Sequence, residues 1–179
     1  MKKAPHWNIR VTPNGPTPHG GLLRFGPHHA RCALGKGGLV TQKCEGDKKT
    51  PIGRFGLRRI WVRPDRLSVT CQALPITHIS RKSGWSDDVF KADYNRPVTR
   101  PYHGSHEKLW RLDRLYDVFI ELGINDEPVE KHRGSAVFLH LEKNNFRPTL
   151  GCVAVSLASM AFLLRHIRHD TFIDIQKGS

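Results

Sequence analysis

Glycine, proline and asparagine cut the first third of this chain into short runs, and none of them is long enough for a helix. The runs are "NIRVT", "GGLLRFG", "HARCALG" and "GGLVTQK". Each leans toward β and is bounded by turn residues, which is how short strands read. "GRFGLRRIWVR" alternates well enough to be a further strand, with Phe55, Leu57 or Ile60, and Val62 as candidates for its inner face. "LYDVFIELGIN" and "GSAVFLHLE" carry near-continuous apolar runs rich in β-branched and aromatic residues, and they are the two best strands. A last strand, "TFIDIQ", closes the chain.

One segment departs from this pattern. In "SLASMAFLLRHIRH", Leu157, Met160, Ala161, Leu164 and Ile167 recur at helical spacing, Ser156 or Ser159 stands where a cap is needed, and basic residues crowd the final turn. Between Pro75 and Glu107 the chain is polar and rich in proline and glycine, with isolated aromatics, so a long functional loop is expected there. The expectation is a mainly β fold, a sandwich or barrel-like mixed sheet with one C-terminal helix and long active-site loops. The length fits one domain over residues 1–179, with residues 1–8 as an N-terminal tail.

The formal charge of +13 is unevenly placed. Residues 1–84 carry 16 Lys and Arg against 3 Asp and Glu, while residues 85–179 carry 13 of each. The excess suggests one basic face, suited to polyanions such as nucleic acid, anionic lipid or acidic cell-wall polymers. A nucleic-acid or anionic-surface binder is therefore the rival of a different class. No recognition helix, RNP-like strand or zinc module supports it, and no nucleic acid is expected as a partner. The cysteines Cys32, Cys44, Cys71 and Cys152 include no C-x-x-C pair. His28 and His29 near Cys32 and Cys44 have no metal-ligand spacing, so no metal is expected, while disulfides stay open. "GDKKTPIG" does not satisfy the phosphate-loop pattern, and "HEKLW" lacks the second histidine of a zinc-protease helix. No run reaches the roughly 18 apolar residues of a membrane span. "MKKAPHWNIRVTPNGP" is charged like a leader but lacks the apolar stretch of about 7–15 residues that must follow. A cytosolic protein is expected from the sequence as it stands. The periplasm or cell wall is the alternative if a leader has been removed or another export route is used.

Chemistry concentrates in "PTLGCVAVS", residues 148–156. A thiol becomes a useful nucleophile when a neighbour lowers its pKa or takes its proton. Gly151 allows a sharp turn just before Cys152, and turns aim backbone N–H groups at one point, as an oxyanion requires. His140 ends the apolar strand "SAVFLHL", with 11 residues between it and Cys152, and the turn-rich "EKNNFRP" permits the chain to return. Hydrophobic neighbours favour a neutral imidazole poised as a base. The plainer alternative is a buried cysteine beside a satisfied core histidine.

"HLEKNNFRPTLGCVAVS" resembles the active-site signature of the YkuD-type L,D-transpeptidases, in which a strand histidine precedes a Ser/Thr-x-Gly-Cys turn. "EGDKKTPIGRFGLR" is similar to that family's G-D-x-x-T-P-x-G-x-F segment, and "YNRPV", "EKLWRLDRLYDVFIELGIND" and "GSAVFLHL" look like its compact branch. The likeness runs from about Cys32 to the C-terminus. It implies a YkuD-like fold, no cofactor, Cys152 as nucleophile, His140 as proton acceptor and donor, Gly151 as the turn glycine and Thr149 as the motif's Ser/Thr. It implies peptidoglycan stem peptides as substrates and carbapenem-type β-lactams as covalent inhibitors. The expected reaction is attack of Cys152 on the L-centre carbonyl of the third stem residue with loss of D-alanine. The acyl group then passes to an amine in a 3–3 cross-link, or to water in an L,D-carboxypeptidase. Two departures stand out. Leu150 replaces a common histidine, and Val153, Ala154 and Val155 follow the cysteine where many members carry Arg or Asn. Thr149, Arg96, Ser135 and Arg147 are then the candidates for substrate contacts, and Trp85, Tyr94, Tyr102 and Trp110 for a groove.

Overall fold

The computed structural model describes residues 6–178. In chain order its elements are β1 (Ile9–Pro13), β2 (Gly20–Phe25), β3 (His28–Ala33), β4 (Leu39–Val40), β5 (Thr50–Pro51), β6 (Gly53–Val62), β7 (Ile76–His78), β8 (Ser83–Ser86), β9 (Pro97–Thr99), β10 (His106–Lys108), β11 (Val118–Leu122), β12 (Phe138–Leu141), β13 (Val153–Val155), α1 (Leu157–His166) and β14 (Phe172–Ile175). The large sheet runs β11-β12-β13-β3-β2-β1-β14-β6-β7, and β11 also pairs with β6, which closes eight strands into a barrel and leaves β7 as an outer addition. The sheet is mixed: β1–β14, β12–β13 and β6–β7 are parallel pairs, and the others are antiparallel. The expected mainly β, barrel-like fold with one helix is what the described residues form.

Alternation decides which side chains enter the barrel. Ile9 and Val11, Leu23 and Phe25, Leu139 and Leu141, Val153 and Val155, and Ile173 and Ile175 all join one buried core. In β6 both Leu57 and Ile60 point inward. A register shift opposite Glu121 and Leu122 inserts an extra residue and resets the parity between them.

Ser156 caps α1 by accepting from Ser159 N at 3.1 Å. The buried face of the helix is Ser159, Met160, Leu163 and Leu164, with Ile167 just beyond, whereas Leu157 is exposed and Ala161 half-buried. The expected stripe is thus rotated by about one position. Ser159 can turn inward because its hydroxyl meets Ser156 Oγ at 2.9 Å and His28 Nε2 at 3.1 Å.

The stretch from Pro75 to Glu107 corrects the expectation of a loop. It holds β7, β8, β9 and the start of β10, and the last three form a small antiparallel sheet in the order β10-β8-β9. Trp85, Ser86, Tyr94 and Asn95 are buried within it. Trp85 stands edge-on to Phe138 at 5.0 Å and to Trp61 at 6.1 Å, so this sheet roofs the outer face of β6, β11 and β12. Asn95 holds the roof. Its Oδ1 accepts from Trp85 Nε1 at 2.9 Å and Ala136 N at 3.1 Å, and its Nδ2 donates to the carbonyls of Ile124 at 3.1 Å and Asn125 at 2.7 Å.

Of the tail expected over residues 1–8, residues 1–5 lie outside the described residues. Trp7 packs edge-on against Phe25 at 5.7 Å, and Asn8 Oδ1 accepts from Phe172 N at 3.3 Å.

Candidate active site

A second core lies between barrel and roof, built from Trp61, Ile79, Trp85, Leu109, Tyr116, Phe119, Phe138 and Cys152. The site borders this layer because of strand parity. In β12, Leu139 and Leu141 face the barrel core, so Phe138 and His140 face the roof. In the segment leading through β13, Val153 and Val155 face inward, so Cys152 and Ala154 face outward. The two strands are parallel with His140 opposite Ala154, which sets His140 and Cys152 on the same side of neighbouring strands. Apolar residues on both faces are what made the alternation of "AVFLHL" hard to read in the sequence.

The turn ahead of Cys152 is tied at several points. Thr149 Oγ1 donates to the Cys152 carbonyl at 2.7 Å and accepts from Gly151 N at 3.1 Å. Thr50 Oγ1 donates to the same carbonyl at 3.3 Å and accepts from Gly35 N at 2.8 Å. Thr149 N donates to Leu34 O, and Lys36 N to Thr149 O, each at 2.9 Å. Gly151 has φ +137°, and a Cβ there would stand 3.1 Å from Lys49 O, so backbone angle and space both call for glycine. The "EGDKKTPIG" segment therefore acts as a brace: Thr50 and Lys49 lie directly against the cysteine turn.

His140 Nδ1 lies 2.7 Å from Leu141 O. A carbonyl can only accept, so Nδ1 carries the proton and Nε2 keeps a lone pair. Burial lowers the His140 pKa from 6.5 to about 4, against the Leu141 hydrogen bond, which raises it. The Cys152 thiol donates to Ala136 O at 3.2 Å, and Phe138 N donates to the sulfur at 3.3 Å. Burial pushes this thiol up to about 12, while the Phe138 N–H and the charge of Lys43 pull it down. At neutral pH the resting site holds a neutral thiol and a neutral imidazole. Among the described residues no hydrogen bond joins the two.

Cys152 and His140 line one cavity of about 450 Å³ together with Lys43, Glu107, Arg111 and Tyr116. The Tyr116 ring stands edge-on to the His140 ring at 5.6 Å. Arg111 forks onto Asp113 at 2.7 and 2.8 Å and reaches Glu107 at 3.0 Å, and Lys143 meets Asp113 at 3.1 Å. Arg111 and Lys143 hold the Asp113 carboxyl at about 2, whereas burial and the nearby Asp87 raise Glu107. The wall beside the imidazole is thus a fixed ion network.

The other expected residues have different fates. Ser135, Thr149, Gly151 and Arg147 line the cavity. Ser135 Oγ donates to Glu45 Oε2 at 2.7 Å, and the Thr149 hydroxyl is engaged within the turn. Arg96 is not brought to the cavity. It is exposed, and its guanidinium donates to Asp126 O at 2.8 Å, because the positive φ of Asn95 and the β9 pairing turn the chain outward. Of the four aromatics expected in a groove, Trp85 and Tyr94 are packing residues, and neither Tyr102 nor Trp110 lines this cavity. Sequence reasoning missed Lys43, Glu107, Arg111 and Tyr116. Only their nearness to motif segments, Lys43 before "EGD" and Arg111 and Tyr116 within "WRLDRLYD", signalled them.

No curated protein and no solved structure matches the chain. A family model described as YkuD, the L,D-transpeptidase catalytic domain, matches residues 17–175.

Proposed function

The chain belongs to the YkuD family of L,D-transpeptidase catalytic domains, and from that premise we propose that Cys152 and His140 carry out acyl transfer on peptidoglycan stem peptides. What supports the reading is their position on one face of adjacent parallel strands, both bordering a single cavity. The resting pair is neutral, so proton and nucleophile move together. The Cys152 thiol leaves the Ala136 carbonyl, His140 Nε2 takes its proton, and the sulfur adds to the carbonyl at the L-centre of the third stem residue. The Gly151 N–H is engaged by Thr149, which leaves the Cys152 N–H as the donor that this turn offers to the oxyanion. Collapse of the tetrahedral centre breaks the bond to D-alanine, and His140 returns its proton to the departing amine. The product is a thioester on Cys152. Arg147, exposed on the cavity rim and without an ion-pair partner among the described residues, is the cation of the expected set for a substrate carboxylate.

Family membership supports an amine of a second stem as the acceptor, giving a 3–3 cross-link. Water reaching the same thioester would give a tripeptide. The test is intact mass after incubation of wild type and Cys152→Ala with a carbapenem, followed by product analysis with disaccharide-tetrapeptide. An adduct confined to wild type is expected, with dimer as the product. Tripeptide alone would replace the amine by water, and equal turnover by Cys152→Ala would end the cysteine mechanism.

A further inference from the structure

Lys43 is a charged residue in an unusual place. Its side chain is only 9% exposed, and it sits on the cavity wall. Its course needs one glycine and passes close by a second, both at positive φ. A Cβ on Gly134 would stand 2.7 Å from Lys43 Cγ, and one on Gly151 would stand 3.5 Å from Lys43 Nζ. The ammonium therefore lies against the backbone turn that presents Cys152. Asp47 and the Cys44 carbonyl hold two of its protons. The third has no protein partner among the described residues. Asp47 is also bonded by Cys44 N at 3.0 Å and Lys49 N at 2.8 Å, so its charge is shared among several donors.

A lysine surrenders hydration when buried, and surface lysines far outnumber buried ones. Holding Asp47 alone does not require the ammonium to reach the cysteine turn. The chemistry there is helped by a cation. Thiol and imidazole are both neutral at rest, and attack creates negative charge first on sulfur and then on the substrate oxygen. In a site shielded from water, a fixed positive charge beside that anion acts strongly and needs no reorganisation.

We propose that Lys43 supplies the positive charge of the reaction, its ammonium facing the anion that builds up at the Gly151–Cys152 turn. The assignment rests on the acyl-transfer reading above and adds a residue to it. The charge of Lys43 already opposes the effect of burial on the Cys152 thiol.

The test reads the thiol itself and needs no substrate. Wild type, Lys43→Met, Lys43→Arg and Asp47→Asn are alkylated with iodoacetamide from pH 6 to 10, and modification of Cys152 is followed by peptide mass. Lys43→Met is expected to slow alkylation at pH 8 by about tenfold and to move the profile to higher pH, since one pKa unit is tenfold in thiolate. Lys43→Arg restores most of the rate. Asp47→Asn removes the anchor but keeps the ammonium, so alkylation stays at the wild-type rate or rises. A lysine that merely held its loop would make Lys43→Met and Asp47→Asn behave alike, and that result overturns the proposal. Coincident profiles for Lys43→Met and wild type overturn it too. Should Lys43→Met fail to fold, Asp47→Asn decides, because slower alkylation in that variant contradicts the assignment. The two readings fail separately: a wild type that forms no carbapenem adduct removes acyl transfer, whatever the alkylation profiles show.

Discussion

The Cys152 thiol donates to the Ala136 carbonyl at 3.2 Å, and Ala136 N in turn donates to Asn95 Oδ1 at 3.1 Å. The Cys152 sulfur is thus parked on a backbone carbonyl that the roof of the cavity holds in place. In the proposed reaction that bond is given up before the sulfur meets the imidazole, so reactivity would depend on occupancy of the cavity as well as on the thiol.

The neutral resting pair sets the pH response. His140 loses its proton at about pH 4 in the fold, so its base form is present throughout the neutral range. The rate of carbapenem adduct formation is expected to stay level from pH 8 down to about 5 and to fall only near 4. An acid limb centred on 6.5 would show a solvated imidazole and contradict the burial described above.

The same group makes stability depend on pH. The imidazole stays neutral in the fold down to about pH 4, while the unfolded chain takes up that proton near 6.5. The unfolded state binds more protons between those values, so stability falls as pH drops across the interval. His140→Asn is expected to remove a loss of about 3 kcal/mol between pH 6.5 and 4. Urea melts of both proteins at the two pH values measure it, and parallel losses would refute it.

Gly151→Ala places a Cβ 3.1 Å from Lys49 O at φ +137°. A cost of about 1–3 kcal/mol is expected, together with at least a tenfold slower adduct. A variant that melts and acylates as wild type does would show that the turn relaxes without disturbing Cys152.

Neighbouring residues on the roof separate position from proximity in sequence. Asn95→Ala forfeits four hydrogen bonds of the buried amide. It is expected to cost about 3 kcal/mol and to slow acylation by loosening Ala136. Arg96→Ala, on the exposed side, is expected to leave kcat/KM within about twofold of wild type. Equal losses for the two would mean that the roof does not transmit order to the site.

The cysteine and histidine were legible because a Gly-Cys turn and an apolar strand ending in His140 are local patterns, and strand parity does the rest. The closing of the barrel was legible in part. "GRFGLRRIWVR" reads as one strand, but the register shift that turns both Leu57 and Ile60 inward is set by its partner β11. The roof was not legible, because β8, β9 and β10 have only 4, 3 and 3 residues, too few for periodicity to appear. Their cohesion comes from Asn95, whose four bonds reach residues up to 41 positions away. Lys43 escaped notice for a related reason, since a lysine beside acidic residues reads as solvated until a distant glycine, Gly134, makes room for it.

Because Cys152 and His140 face away from the barrel interior, the scaffold and the candidate site occupy opposite sides of a single layer of strands. Substitutions in the covering segments from Ile76 to Leu115 could retune what enters and what leaves while the packing inside the barrel stays intact. A fold wired in this way offers separate handles for its endurance and its selectivity.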